Sequence, residues 1–273
     1  MRQYYPVLTI AGSDPSGGAG IQADIKTISA IGCYAMAAMT GLTAQNTTGV
    51  TAIEPVSPAM VKAQIDTIYA DITPMAVKTG MLCNRDSAAA VADCLERHRP
   101  GALVVDPVMV STSGSVLLDD DAIETMVTRI FPLATVITPN LAEARALTGE
   151  DDPDLQAEKL LATGAGAVLI KGGDSDDKDY KTDFLYFRDG EPLSFRADAI
   201  ATGNTHGTGC TFSAAIASFL ALGRELDDAV ADAKLYVTRA LEAGAFVTTG
   251  RGHGPVNHFF SPRRLKNFNP RRQ

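Results

Sequence analysis

The chain has 273 residues, 45% hydrophobic and 21% charged, the make-up of an ordinary globular protein; this length allows two domains, although open α/β folds of this size are often single. Its formal net charge of −8 argues against nucleic-acid or anionic-membrane partners. The four cysteines (Cys33, Cys83, Cys94, Cys210) are widely spaced and suggest neither a zinc site nor a disulfide framework. No apolar run reaches the ~20 residues of a spanning helix and no charged-then-apolar leader opens the sequence, so the expected home is the cytoplasm.

Val7-Leu8-Thr9-Ile10-Ala11 is short, apolar and ended by glycines, which predicts a buried strand. The turn after it, Gly12 to Gly20, fails the Walker spacing because Gly18 rather than lysine follows Gly17, and it fails the dinucleotide fingerprint as well. Ile21, Ile25, Ile28 and Ile31 recur at helical spacing, with Gly32 placed to end the helix. Gln22 and Asp24 lie near its start, on the side of the turn. A second strand, Tyr34 to Ala44, ends in Gln45-Asn46-Thr47-Thr48-Gly49. Gln45 is there either a turn former or, with donor and acceptor side by side, a reader of a base edge.

Ser57-Pro58 opens a helix to about Ile72. Ala76 to Leu82 is a strand entering a glycine turn, Asn84 to Arg99 a helix, and Ala102 to Met109 an apolar strand with Asp106 at its end. A helix from Asp120 to Phe131 leads to the strand Thr135 to Pro139, after which Asn140 caps a short helix carrying Glu143. Asp154 to Thr163 is helical, and Ala167 to Gly173 is a strand with Lys171 at its end. Such regular alternation predicts a mostly parallel sheet covered by helices.

One antiparallel hairpin breaks the pattern: Asp183–Arg188 and Glu191–Arg196, joined by Asp189-Gly190. The polar run Asp174 to Lys181 before it reads as a surface loop or flap. Two helices follow, Thr211 to Leu222 and Leu226 to Ala243. The last stretch, 261–273, holds five basic residues and no acid, and reads as a solvated tail after a single domain over 1–260.

Between hairpin and helices lies Gly203-Asn204-Thr205-His206-Gly207-Thr208-Gly209-Cys210. A glycine-rich turn that opens a helix presents unpaired N–H groups at the positive end of the helix dipole, a natural anion site. Cys210 stands at that helix start, where thiol pKa values tend to fall, although most lone cysteines are merely buried. In open parallel sheets ligands collect beyond the carboxyl ends of strands. The Gly12–Gly20 turn, Gln45, Gly80-Met81, Asp106, Asn140 with Glu143, and Lys171 all fall there. Asp106 can simply end a strand and Asn140 simply cap a helix. Lys171 is harder to dismiss, because a buried lysine needs a partner. An anion cradle, a lysine and two carboxylates able to hold hydrated magnesium point to an ATP-dependent phosphotransferase without a Walker loop. His206 is the histidine nearest the site; His98 and His258 read as surface or structural.

Ala11-Gly12-Ser13-Asp14, Gly17 to Thr27, Thr43 to Thr47, Lys78-Thr79-Gly80-Met81, Asp106 to Met109, Thr138-Pro139-Asn140 with Glu143, Lys171-Gly172-Gly173, His206 to Cys210 and Gly254 to His258 stand in the order seen in one family. The chain resembles the hydroxymethylpyrimidine and hydroxymethylpyrimidine phosphate kinases, over nearly its whole length. The resemblance implies a ribokinase-like, three-layer α/β/α sandwich with a mostly parallel central sheet, commonly a homodimer. It implies two ATP-dependent steps of thiamine biosynthesis: 4-amino-5-hydroxymethyl-2-methylpyrimidine to its monophosphate, then to the diphosphate. It further implies that Gln45, Gly12, Asp24, Met81 and Val108 bind the pyrimidine. Lys171, Asn140 and Thr205 would contact ATP, Asp106 and Glu143 would organise Mg2+ through water, and Gly207, Thr208, Gly209 and Cys210 would form the catalytic anion hole.

Most sugar kinases of this superfamily have aspartate as general base where this chain has Cys210. A thiolate in that role matters more for the alcohol than for the already ionised phosphate, so Cys210 is expected to weigh more on the first step. Many relatives carry a lysine near Thr112, which this chain lacks. The rival readings are a pyridoxal kinase of the same superfamily and a non-catalytic pyrimidine binder.

Overall fold

The computed structural model describes residues 2–109, 119–173, 175 and 177–269. The expectations about Thr112, Asp174 and Asp176, and about the end of the tail beyond residue 269, lie outside them. The strands are β1 (Gln3–Tyr4), β2 (Pro6–Gly12), β3 (Tyr34–Asn46), β4 (Gly49–Pro55), β5 (Ala76–Thr79), β6 (Leu103–Val105), β7 (Val136–Ile137), β8 (Ala167–Ile170), β9 (Tyr180–Phe187), β10 (Leu193–Asp198) and β11 (Asn267–Phe268). The helices are α1 (Gly20–Ile31), α2 (Pro58–Tyr69), α3 (Arg85–His98), α4 (Asp120–Thr125), α5 (Leu141–Thr148), α6 (Pro153–Ala162), α7 (Thr208–Ala221) and α8 (Leu226–Gly244).

Nine strands form one sheet in the order β10-β9-β8-β7-β6-β5-β2-β3-β4. The six from β8 to β3 run parallel. Strand side chains alternate between two cores, as the period of two requires. Leu8, Leu103, Val105, Ile137 and Val168 pack with Val61 of α2, Leu95 of α3 and Leu160 of α6. Val7, Val104, Val136 and Leu169 face the other way, onto Ile28 of α1, Ile216 of α7 and Val237 of α8. The result is the expected α/β/α layering. Alanines 214, 215 and 217 let α7 lie close to the sheet, buried along most of its length.

Local signals set most helix ends. Gly32 closes α1 at φ 97°, its N–H shared between the Ile28 and Ser29 carbonyls. Asn84 caps α3, and Asn140 with Glu143 forms a reciprocal capping box on α5. α7 begins three residues before its expected start, so Thr208-Gly209-Cys210 is its first turn.

Three expectations need correction. The sheet holds three antiparallel pairs of consecutive strands, β3–β4, β8–β9 and β9–β10, where one hairpin was expected. β4 pairs back on β3 after a turn in which Asn46 Oδ1 accepts the Thr48 N–H at 2.9 Å. In the expected hairpin the ladder pairs Leu193 with Leu185, one residue out of the register that a two-residue Asp189-Gly190 turn would give. The basic stretch is also no free tail in its described part. Arg263 and Lys266 donate backbone bonds to Ala30 and Gly32 at 2.8 Å each, and β11 pairs with β1.

The chain leaves β2 for β3 on one side and crosses to β5 on the other. The carboxyl end of β2 is therefore the point where strand order reverses and a crevice opens. No helix among the described residues is long and apolar enough to cross a membrane.

Candidate active site

Backbone bonds tie the strand ends into one floor. Gly80 N–H reaches Ile10 O at 2.9 Å, Asp106 N–H reaches Thr79 O at 3.0 Å, Thr138 N–H reaches Val105 O at 2.9 Å and Lys171 N–H reaches Pro139 O at 2.9 Å. Asp106, Thr138 and Lys171, far apart in sequence, thus stand side by side.

Lys171 Nζ donates to Asp106 Oδ1 at 2.8 Å and lies 3.9 Å from Glu143 Oε2. The second oxygen of Asp106 accepts from Ser213 Oγ of α7 at 3.0 Å, and Thr138 Oγ1 stands 3.3 Å from the first. Burial pushes Asp106 up, but Lys171, Lys78 and the Ser213 hydroxyl outweigh it and hold the carboxyl below its ordinary range. Lys171 is held charged in turn: burial lowers it, and Asp106 and Glu143 more than reverse that. A Cβ on Gly209 would sit 3.4 Å from Lys171 Nζ and 3.9 Å from Asp106 Oδ2, so the first turn of α7 lies directly over this pair. No side chain caps α7; its N-cap is Gly207 at φ 79°. Thr205, by contrast, uses its carbonyl within the turn, accepting the Thr208 N–H at 3.2 Å and Oγ1 at 3.0 Å.

Across the crevice Gly12 faces Met81. A Cβ on Gly12 would lie 2.1 Å from Met81 Cε, so only glycine lets that methyl rest on the backbone. Gln45 is half-buried on β3, its Oε1 3.2 Å from Thr43 Oγ1. Val108 is half-buried beyond Asp106. Asp24 lies elsewhere than expected. It is fully buried, both oxygens held by Lys78 Nζ at 3.0 and 2.8 Å and one by Thr9 Oγ1 at 2.6 Å, so it stands behind the crevice wall rather than open to it.

Cys210 departs from the helix-start expectation. Burial raises its thiol to about 11; Lys78 and a backbone hydrogen bond from Gly20 oppose the rise, while Asp24 and Asp106 add to it. At neutral pH the group is a thiol.

Two residues went unread in the sequence. Lys78 is completely buried in mid-strand; burial lowers it, but the Asp24 charge prevails and keeps it protonated. The argument used for Lys171, that a buried lysine needs a partner, applies to Lys78 as well, but Lys78 lies inside its strand and not at its end. Asp14 is also buried; its carboxylate accepts from Gly18 N, Ala19 N, Ser16 and His206 Nε2. Burial raises it, yet these bonds, led by His206, bring it down to about 2. His258 is buried with Nε2 3.1 Å from Thr211 Oγ1 in the first turns of α7. It is structural, as the sequence suggested, but not at the surface.

Among the described residues no three His, Cys, Asp or Glu side chains gather as an all-protein metal site. Two neighbouring carboxylates suit an ion that keeps waters and takes phosphate oxygens for the rest of its shell.

The profile of the phosphomethylpyrimidine kinase family matches residues 14–257. A hydroxymethylpyrimidine/phosphomethylpyrimidine kinase of Rhizobium meliloti (strain 1021) is 50% identical over 259 residues, 92% of this chain and 96% of its own. The solved phosphomethylpyrimidine kinase of Clostridium difficile 630 is 43% identical with a TM-score of 0.75, covering 86% of this chain and 99% of its own. The pyridoxal kinase of Staphylococcus aureus, solved with pyridoxal, is 34% identical with a TM-score of 0.86, over 98% of this chain and 97% of its own; further structures of it hold ADP or AMP-PCP.

Proposed function

This chain belongs to the phosphomethylpyrimidine kinase family, and from that membership we propose that it phosphorylates 4-amino-5-hydroxymethyl-2-methylpyrimidine with ATP, and then the monophosphate so formed. It is a kinase of thiamine biosynthesis. The observation that carries the reading is the convergence of Lys171 and Asp106 under the first turn of α7, which no side chain caps, at the same sheet edge as the Gly12–Met81 contact. A pure binder has no use for such a cradle.

In this reading Gln45 hydrogen-bonds the aminopyrimidine edge, with Gly12, Met81 and Val108 along the ring. Asp24, from behind the wall, fixes Lys78 and the start of α1. Lys171, with Asn140 bridged to it, neutralises the ATP phosphates, Thr205 meets them from the turn before α7, and the N–H groups of Gly207, Gly209 and Cys210 receive charge on the moving phosphoryl group, while the Thr208 N–H holds the turn through Thr205 O. Asp106 and Glu143 would hold Mg2+ through water, and its charge would offset that of the phosphates. A homodimer in the cytoplasm, each chain a single domain, goes with this function, and sedimentation velocity reads the assembly.

Cys210 then shapes the hole as a thiol instead of taking the proton. With a pKa of about 11, only on the order of one chain in 10⁴ carries the thiolate at pH 7. The rate of inactivation by iodoacetamide is expected to climb steadily from pH 7 to pH 10; a plateau near pH 8 would contradict this. Cys210→Ala is expected to slow both phosphorylations alike, by less than about tenfold, whereas a loss of about 10²-fold confined to the alcohol would restore a general base.

The similarity in fold to a pyridoxal kinase favours one second reading, pyridoxal as acceptor. Coupled ATP-consumption assays with both alcohols decide. We expect kcat/KM to favour hydroxymethylpyrimidine, and preference for pyridoxal would reverse the assignment.

A further inference from the structure

The turn after β2 and the turn before α7 touch with no side chain between their backbones. A Cβ on Gly207 would lie 1.8 Å from Gly18 O, and one on Gly18 would lie 2.3 Å from His206 Cδ2. Two side-chain bonds span this contact: the Gly20 N–H reaches the Cys210 sulfur, and a second bond joins a carboxylate to an imidazole. His206 Nε2 lies 2.8 Å from Asp14 Oδ2, the pair being 192 residues apart in sequence and almost fully buried. Asp14 is ionised and accepts only, so the imidazole donates from Nε2.

Both partners are anchored on their own sides. The Asp14 N–H reaches Gln22 Oε1 of α1 at 2.7 Å, and the carboxylate gathers Gly18 N–H at 3.0 Å and Ala19 N–H at 2.8 Å. The His206 N–H is held by Gly254 O at 3.0 Å, and Thr211 Oγ1 closes the α7 turn onto Gly207 O at 2.8 Å. Each turn therefore keeps its own bonds if the imidazole is removed. What is lost is the charge-assisted tie between them, leaving only the weaker Gly20–Cys210 bond across the contact.

We propose that Asp14 and His206 are a positioning pair, a brace that fixes the anion turn of α7 against the acceptor-side turn and so sets the distance between acceptor oxygen and phosphoryl group. This rests on the kinase reading above. Misplacing reacting groups by about 1 Å can cost on the order of 10²-fold in rate with little effect on binding.

The test is steady-state kinetics of the full chain with hydroxymethylpyrimidine and ATP. His206→Leu is expected to lower kcat about tenfold to a hundredfold with acceptor KM changed less than about threefold. His206→Gln, whose amide N–H can reach Asp14, should recover most of that. On an Asp14→Asn background, His206→Leu should add less than about threefold, because the bond it breaks is already weakened. Should His206→Leu fail to fold, Gln against the shorter Asn at 206 reads the same contact. The brace is overturned by an unchanged kcat, by a loss lying wholly in KM, by equal losses on both backgrounds, or by Gln behaving like the variant that cannot reach. An unaltered protein without turnover would overturn the kinase reading and the brace together; an active one indifferent to His206 overturns the brace alone.

Discussion

Lys171→Met is expected to lower kcat by about 10²- to 10³-fold with either acceptor, the usual result of removing one preorganised donor from a charge-stabilising site. Lys171 Nζ sits between Asp106 and Glu143, under the first turn of α7, at the strand end where the phosphates would lie. The fold survives this change better than it would the loss of a completely buried cation. Asp106 keeps the Ser213 hydroxyl at 3.0 Å, Thr138 at 3.3 Å and the field of Lys78. Circular dichroism beside saturating-substrate assays separates the two effects. A folded Lys171→Met protein within tenfold of the wild-type kcat would contradict the assignment.

Lys78→Met is the change with the largest expected effect on stability. Both side chains of the Lys78–Asp24 pair are completely buried, and Lys78 Nζ contacts both Asp24 oxygens. Deleting one partner leaves an uncompensated carboxylate in the core, at a cost of about 3–5 kcal/mol. For a chain of this size that corresponds to on the order of 10 °C in Tm. Lys78→Met with Asp24→Leu should recover much of the loss, since the pair's own attraction is largely offset by its desolvation. Urea melts of the two variants decide. A single variant within about 1 kcal/mol of wild type would mean that the pair is more solvated than its burial indicates.

The legible parts of the site share one property: each ends an apolar strand or starts a helix. Asp106, Asn140 with Glu143, Lys171 and Gly207 to Cys210 are all of this kind, and the rule that ligands gather at strand carboxyl ends brings them together. Lys78 escaped because it lies inside a strand and its partner is 54 residues away on α1. The Asp14–His206 contact joins residues 192 positions apart, and no local pattern encodes it. β4 was missed because Asn46-Thr47-Thr48-Gly49 reads as a strand end, although it is the turn of a hairpin. Cys210 shows a different limit. The helix-start rule lowers a thiol pKa, but the burial that overrides it depends on what packs around the sulfur, with Asp24 and Asp106 adding their charge.

The central claim is two successive phosphoryl transfers by one chain. It is tested most directly by following hydroxymethylpyrimidine, ATP and magnesium with the purified protein by phosphorus NMR. The account predicts a monophosphate ester that rises and then gives way to the diphosphate, with two ATP consumed for each pyrimidine. A reaction that stops at the monophosphate, or no ATP consumption with hydroxymethylpyrimidine at all, would contradict it.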